Sequence, residues 1–264
     1  KNLSSITLEW DGKSPTIIDK DSNLINAAKK ITWSKFINNG QVCISPDYVL
    51  IHEKEKEKFI KLVIKNIKKF YSSDSIKSSS YCRIVNKNHF IRVKELIDNA
   101  KLNGGDILYG GKTNKEKNYI EPTLIENISK NSKIYNHEIF GPILPIFTFK
   151  NINDSISFVN EKEKPLALYI FSNNKKNINK ILNETSSGGV CINHSTLHYS
   201  NYNLPFGGIG NSGFGKCHGI YGFKEFSNQK SILEQFSYFS PTDLLVPPYN
   251  RFKQNLINLI IKYF

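Results

Sequence analysis

From Tyr48 to Asn193 the chain repeats one pattern, a short apolar run of strand length followed by a longer stretch whose apolar residues recur every three or four positions. "DYVLIHE" (47–53) alternates as a strand does, and "KEKEKFIKLVIKNIKKFY" (54–71) sets Phe59, Leu62, Val63 and Ile67 on one helical stripe. A helix around "HFIRVKELIDNA" (89–100) follows, then extended pieces at "GDILYGG" (105–111) and "PILPIFTF" (142–149). The alternation continues with a helix at "NDSISFVNEK" (153–162), a strand at "LALYIFS" (166–172), a helix at "KKNINKILNETS" (175–186) and a strand at "GGVCIN" (188–193). Strands alternating with helices predict an α/β fold whose largely parallel sheet is flanked by helices. Active sites in such sheets are expected at the C-terminal ends of the strands.

Upstream, "SNLINAAKKITWSKFINN" (22–39) carries Leu24, Ala27, Ala28 and Ile31 at helical spacing, with Ser22 or Asp21 as the expected cap and Gly40 as a left-handed stop. Cys43 therefore follows a helix C-terminus. A lone cysteine is as readily a buried apolar residue as a nucleophile, and the partial negative charge of a helix C-terminus does nothing to ionise it.

Beyond residue 200 the pattern loosens into "LPFGGIGNSGFGKCHG" (204–219), a strand-like "KSILEQF" (230–236) and a tail. Gly208, Gly210 and Gly213 spell a literal GxGxxG, and Gly210 to Lys216 nearly spells a P-loop, with Cys217 where a hydroxyl should bind magnesium. Such fingerprints follow a strand and open a helix, whereas Pro205 here makes a central strand poor. A tight loop that needs backbone freedom is the better account.

Composition narrows the function classes. The chain has 264 residues, 39% of them hydrophobic, enough for one large domain or two small ones. It opens at Lys1 and contains no Met, which reads as a fragment or a processed chain. No run approaches the roughly 18 to 20 apolar residues of a membrane span, and no signal peptide opens the chain. The four cysteines (Cys43, Cys82, Cys191, Cys217) form no CxxC pair, so neither a disulfide framework nor a metal site is expected, and the default setting is reducing and cytoplasmic. The net charge of +13 comes mostly from lysine, since only Arg83, Arg92 and Arg251 are arginines. Solvated lysines explain that charge without a nucleic-acid partner.

Six stretches carry a sharper signal: "TLEWDGKSP" (7–15), "NNGQVCISPDYVL" (38–50), "NHEIFGPILPI" (136–146), "EKPLALYIFS" (163–172), "ETSSGGVCIN" (184–193) and "LPFGGIGNSGFGKCHG". In order and spacing they resemble the aldehyde dehydrogenases, most closely the class that includes the fatty aldehyde dehydrogenases, from about Leu8 to Leu233. The resemblance implies that only the catalytic half is present and that the NAD or NADP domain lies upstream. It divides the chain into a catalytic domain, 1–210, and a C-terminal segment, 211–264, holding the glycine loop, an oligomerisation-type strand and an amphipathic tail.

By the same resemblance Cys43 is the nucleophile and Glu9 the base that activates water against a thioester. Glu138 and Phe140 hold the nicotinamide ribose and flank its ring. Asn193 is the loop asparagine, and Pro205, Phe206 and Gly207 line the substrate site. Cys43 is expected to be the most readily alkylated thiol. His194 and His198 receive no role. Trp10-Asp11-Gly12 departs from the usual glycine pair, and Asp11 would add negative charge near the base and the thiol.

The implied reaction is oxidation of an aliphatic medium- or long-chain, or aromatic, aldehyde to the acid, by a homodimer in the full-length protein. The rival readings are a thiol esterase and a non-catalytic interaction protein derived from the family. The tail, with Phe252, Leu256, Leu259, Ile260 and Tyr263 at helical spacing, is expected to cover a protein surface, with weak peripheral membrane contact as the alternative.

Overall fold

A seven-stranded sheet organises the first of the two units into which the protein divides, Lys1–Phe226 and Ser227–Phe264. The structure is a computed structural model describing residues 5–10 and 12–263, so the expectation placed on Asp11 lies outside the described residues.

In chain order β1 (Leu8–Glu9) is followed by β2 (Pro15–Ile18), α1 (Leu24–Phe36), β3 (Tyr48–His52), α2 (Lys56–Tyr71) and α3 (Lys87–Leu102). Then come β4 (Asp106–Tyr109), the small β5 (Thr113–Asn114) and β6 (Tyr119–Ile120), β7 (Thr123–Glu126), α4 (Lys133–Asn136), β8 (Ile143–Phe149) and α5 (Ile152–Asn160). The unit closes with β9 (Ala167–Phe171), α6 (Lys175–Glu184), β10 (Gly189–Ile192), β11 (Gly213–Phe214) and α7 (Gly219–Glu225). The sheet order is β10–β9–β2–β3–β8–β7–β4, parallel at every pairing except β4 with β7.

Both faces of the sheet are covered, which is why β3 and β9 read as unbroken apolar runs. Alternate side chains of one strand enter opposite cores. Val49 and Ile51 pack with Ala27, Ala28 and Ile31 of α1 and Phe59, Val63 and Ile67 of α2. Tyr48 and Leu50 pack with Ile156 and Val159 of α5 and Ile181 of α6. Each such side chain contributes about 1.5–3 kcal/mol on burial.

Asparagines start the helices. Asn23, not Ser22 or Asp21, caps α1, accepting from the Asn26 amide at 3.1 Å, while Asp21 accepts the Ser172 hydroxyl at 2.9 Å. Asn86, Asn151 and Asn174 cap α3, α5 and α6 in the same way.

The expected domain boundary after residue 210 is corrected: the glycine-rich loop belongs to the first unit, because β11 pairs with β1 and Phe206 bridges Cys217. The strand expected at 230–236 does not form. A strand needs a neighbour's backbone groups, and none of the described residues pairs with it; Leu233 and Phe236 are each 95% exposed. The second unit does form α8 (Arg251–Tyr263), on which Phe252, Leu259 and Ile261 are exposed. Among the described residues no helix is long and apolar enough to cross a membrane.

Candidate active site

Cys43 sits in the turn between α1 and β3, so it enters the sheet at the N-terminal end of a strand. The loops before β2, β8 and β9 meet it there. The expectation of a site at the C-terminal ends is therefore corrected. Those ends are closed by their own hydrogen bonds: Asp19 accepts from Ser172 Oγ at 3.0 Å and from Asn177 Nδ2 at 2.7 Å, and Asn193 ties β10 to β9.

The turn carrying Cys43 is held from several sides. Asn38 and Asn39 adopt left-handed conformations that asparagine tolerates, and Gly40 follows at φ 72°, where a Cβ would lie 2.3 Å from the Gly141 carbonyl oxygen. This close approach seats the end of α1 against the loop containing Glu138 and Phe140. Asn39 donates to the Cys82 carbonyl at 2.8 Å, and the Gln41 side chain accepts from the Val85 amide at 2.9 Å. Tyr169, fully buried in β9, donates its hydroxyl to the Ile44 carbonyl at 2.5 Å and anchors the residue next to the thiol.

Glu9 reaches the thiol from β1. That two-residue strand exists because Leu8 and Glu9 pair with Phe214 and Gly213, and Trp10 donates to the Ser212 carbonyl at 3.1 Å. Gly213, at φ 127°, leaves no room for a side chain: a Cβ would lie 2.1 Å from the Leu8 carbonyl oxygen. The Glu9 carboxylate lies near the thiol, and burial, followed by the negative charges of Glu9 and Glu138, pushes the thiol up to about 12. Cys43 is thus a protonated thiol next to a base, and the structure brings these two residues together.

Glu138 and Phe140 lie on a loop fixed from below. Arg92 donates to the carbonyls of Glu138, Ile139 and Phe140 at 3.3, 2.7 and 3.3 Å, and Asp47 accepts the Ile139 amide at 2.9 Å. Lys13 pairs with Asp47 and donates to the carbonyls of Ile134 and His137 at 3.0 and 2.8 Å. Sequence reasoning missed Lys13, Asp47, Arg92 and Tyr169. Lys13 and Asp47 stood inside the quoted motifs, and Tyr169 was the one hydroxyl in an apolar strand, but nothing local marked them as clamps.

Of the remaining candidates, Asn193 lies apart from the pair, while Phe206 pairs with Cys217, a thiol that the Glu9 charge reaches. Asn193 spends its side chain on Ser172, accepting from its amide at 3.0 Å and donating to its carbonyl at 2.9 Å, so it ties strand ends instead of facing Cys43. Phe206 is 4% exposed, packs into the main core and stacks on His218 at 5.1 Å between ring centres. Pro205 is exposed and Gly207 buried. Lys216, at the position of a P-loop lysine, donates to the carbonyls of Gly207 at 2.6 Å, Gly208 at 3.1 Å and Gly188 at 3.4 Å. The loop turns acceptors inward and leads into β11, so it staples itself and is not built for a phosphate.

A nicotinamide dinucleotide fits this chain at one end only. The partly exposed Glu138 carboxylate, on a rigid loop beside the thiol, suits ribose hydroxyls, and Phe140 suits a ring edge. Among the described residues no group of three or more His, Cys, Asp or Glu is placed to hold a metal ion.

A doubly covered parallel sheet with a buried thiol close to a carboxylate at its strand entrances defines a cysteine-centred α/β domain. The profile described as "Aldehyde dehydrogenase family" matches residues 1–232, and the chain belongs to that family. It is 45% identical to aldehyde dehydrogenase family 3 member A2 of Rattus norvegicus, over 88% of this chain and 47% of that protein. It is 44% identical to the dimeric NADP-preferring aldehyde dehydrogenase of the same organism, over 88% and 50%. Among solved structures, the substrate-bound state of Staphylococcus aureus AldH matches with a TM-score of 0.90 and 39% identity, over 97% of this chain and 55% of that one. The chain spans about half the length of the curated relatives it matches.

Proposed function

We propose that the chain is the catalytic half of an NAD(P)-dependent aldehyde dehydrogenase that oxidises aliphatic medium- or long-chain, or aromatic, aldehydes to carboxylic acids. The observation that carries this reading is that β1 brings the Glu9 carboxylate close enough to the buried Cys43 thiol for its charge to hold the proton on sulfur. A thiol at about pKa 12 has almost no anion at neutral pH, so its attack on a carbonyl needs a base in contact, and Glu9 is that base.

As sulfur adds to the aldehyde carbon, the thiol proton passes to Glu9. The bound dinucleotide supplies the hydride acceptor that turns the adduct into a thioester. Glu138 and Phe140 hold the nicotinamide end through the ribose and the ring edge. Glu9 then gives the thiol proton to solvent, takes a proton from water as it attacks the thioester, and returns that proton to the departing sulfur, so the acid leaves with Cys43 restored as a thiol. Pro205, Phe206 and Gly207 shape the surrounding wall, and Asn193 ties the strand ends at the far edge of the sheet.

The cofactor reading rests on the family, one relative of which is named NADP-preferring, and dimerisation on that relative's name and the uncovered row Ile232, Leu233 and Phe236. A cytoplasmic setting, with α8 covering a protein surface and weak peripheral membrane contact as the alternative, completes the proposal.

The test uses the full-length protein carrying this chain. Cys43→Ser should abolish turnover. Glu9→Gln should still release one equivalent of NAD(P)H in a pre-steady-state burst and then stall at the thioester. Near-normal turnover in Cys43→Ser would end the nucleophile assignment, and aldehyde-independent ester hydrolysis without any redox activity would favour the esterase reading.

A further inference from the structure

Beside Glu138 opens a cleft of about 500 Å³, lined among others by Gly12, Lys13, Tyr135, His137 and Lys162. Lys162 stands here in surroundings unlike those of a solvated lysine. Its Nζ lies 3.5 Å from the centre of the Tyr135 ring and 5.1 Å from that of Phe158, and donates to the Tyr135 carbonyl at 3.0 Å. The carboxylates nearby are already engaged: Glu161 pairs with Lys130 and Asp47 with Lys13. Among the described residues no ion pair is left to Lys162.

An ammonium in such a place is held by ring faces and one carbonyl, with little water to solvate it. Burial, with the neighbouring charge of Lys13, brings the amine down to about 8, against the opposing effects of Asp47 and Glu161. At neutral pH this leaves on the order of a hundredfold more free amine than an ordinary lysine has. A desolvated lysine of this kind is a carbonyl nucleophile.

We propose that Lys162 is a second aldehyde-reactive site, a reversible imine-forming lysine in the cleft that Glu138 also lines. The neutral Nζ adds to the aldehyde carbon, a C–N bond forms, and the carbonyl oxygen leaves as water with both amine hydrogens. The product is a neutral imine, water reverses the step, and no oxidant or reductant takes part. The cleft lies in the range that holds small organic molecules, and the Tyr135 ring lines it beside the Lys162 amine. The inference rests on the reading that aldehydes are what this protein meets. An adduct at Lys162 would occupy space beside Glu138 and make excess aldehyde an inhibitor.

Hexanal with cyanoborohydride, followed by peptide mapping, measures this directly on the 264-residue chain. At pH 7 Lys162 should be alkylated at least about tenfold faster than exposed Lys61 or Lys65, an advantage that fades above pH 10.5 where other lysines also lose their protons. The charged groups that face it are Lys13, Asp47, Glu161 and Lys130, and Glu138 and Glu163 also line the cleft. Lys162→Arg should lose that adduct alone. Cys43→Ser should leave Lys162 labelling unchanged, which separates this outcome from the fate of the thiol assignment. Labelling no faster than at Lys61, or labelling that disappears with Cys43, overturns the proposal.

Discussion

Cys43 owes its state first to burial and then to one neighbour, Glu9. Burial alone raises a thiol, and a carboxylate close to it raises it further. In the 264-residue chain, exposed Cys82 should therefore react with iodoacetamide before Cys43, contrary to the expectation that Cys43 is the most reactive thiol. Glu9→Gln removes the charge, so the Cys43 thiol should ionise at lower pH and its alkylation at pH 8.5 should speed up several-fold, read by mass spectrometry of the Cys43 peptide.

Lys35 makes the opposite case. It is 1% exposed, and burial brings it down to about 8 in spite of Asp47 and Glu138. Between pH 8 and 10.5 the unfolded chain binds the extra proton, so stability rises with pH across that window and the cost of burying the charge is fully present below it. Lys35→Met should stabilise the fold at pH 7 by about 1–3 kcal/mol, with the gain shrinking above pH 8 and gone by about pH 10.5, measured by urea unfolding at a series of pH values. Asp47 keeps Lys13 as its partner in that variant.

At the scale of elements, the glycine loop that resembled a nucleotide site is the partner strand of the base. Gly213→Ala would drive a Cβ to 2.1 Å from the Leu8 carbonyl, so β1 must shift and carry Glu9 with it. Its expected effect is a fold that stays folded, because the β1–β11 pair lies outside the seven-stranded sheet, with Cys43 alkylated at the rate seen in Glu9→Gln. Unchanged Cys43 reactivity in Gly213→Ala would show that β1 does not depend on that pairing. The helices were legible in advance, since their apolar stripes need only local spacing. Their caps were off by one or two residues, because Ser22, Asp21 and Asn23 can all accept an amide and only the entry geometry chose Asn23. The stretch 230–236 alternates as a strand and remains unpaired, because β-propensity describes fitness for a sheet and does not supply the neighbour.

For the molecule as a whole, the second unit exposes Ile232, Leu233, Phe236, Phe252 and Ile261. Rows of this kind drive association. The 264-residue chain should self-associate in sedimentation velocity, and a chain ending at Phe226 should run as a smaller, better-behaved species with its circular dichroism retained, because the sheet and its helices lie within the first unit.

The alternation of periods two and three to four in this sequence determined a doubly covered parallel sheet, and six motifs determined the family, because both signals are local and survive without any knowledge of contacts. The edge of the sheet that carries the site was decided only in three dimensions. The side chains after the strands, Asp19, Ser172 and Asn193, bond one another and close that edge, while the turns before the strands converge and leave a cleft. The Glu9 contact that keeps Cys43 protonated, and the Lys13, Asp47 and Arg92 clamp beneath Glu138, were decided there too. Hydrogen bonds between groups brought together by chain crossings leave no periodic trace in the sequence that makes them.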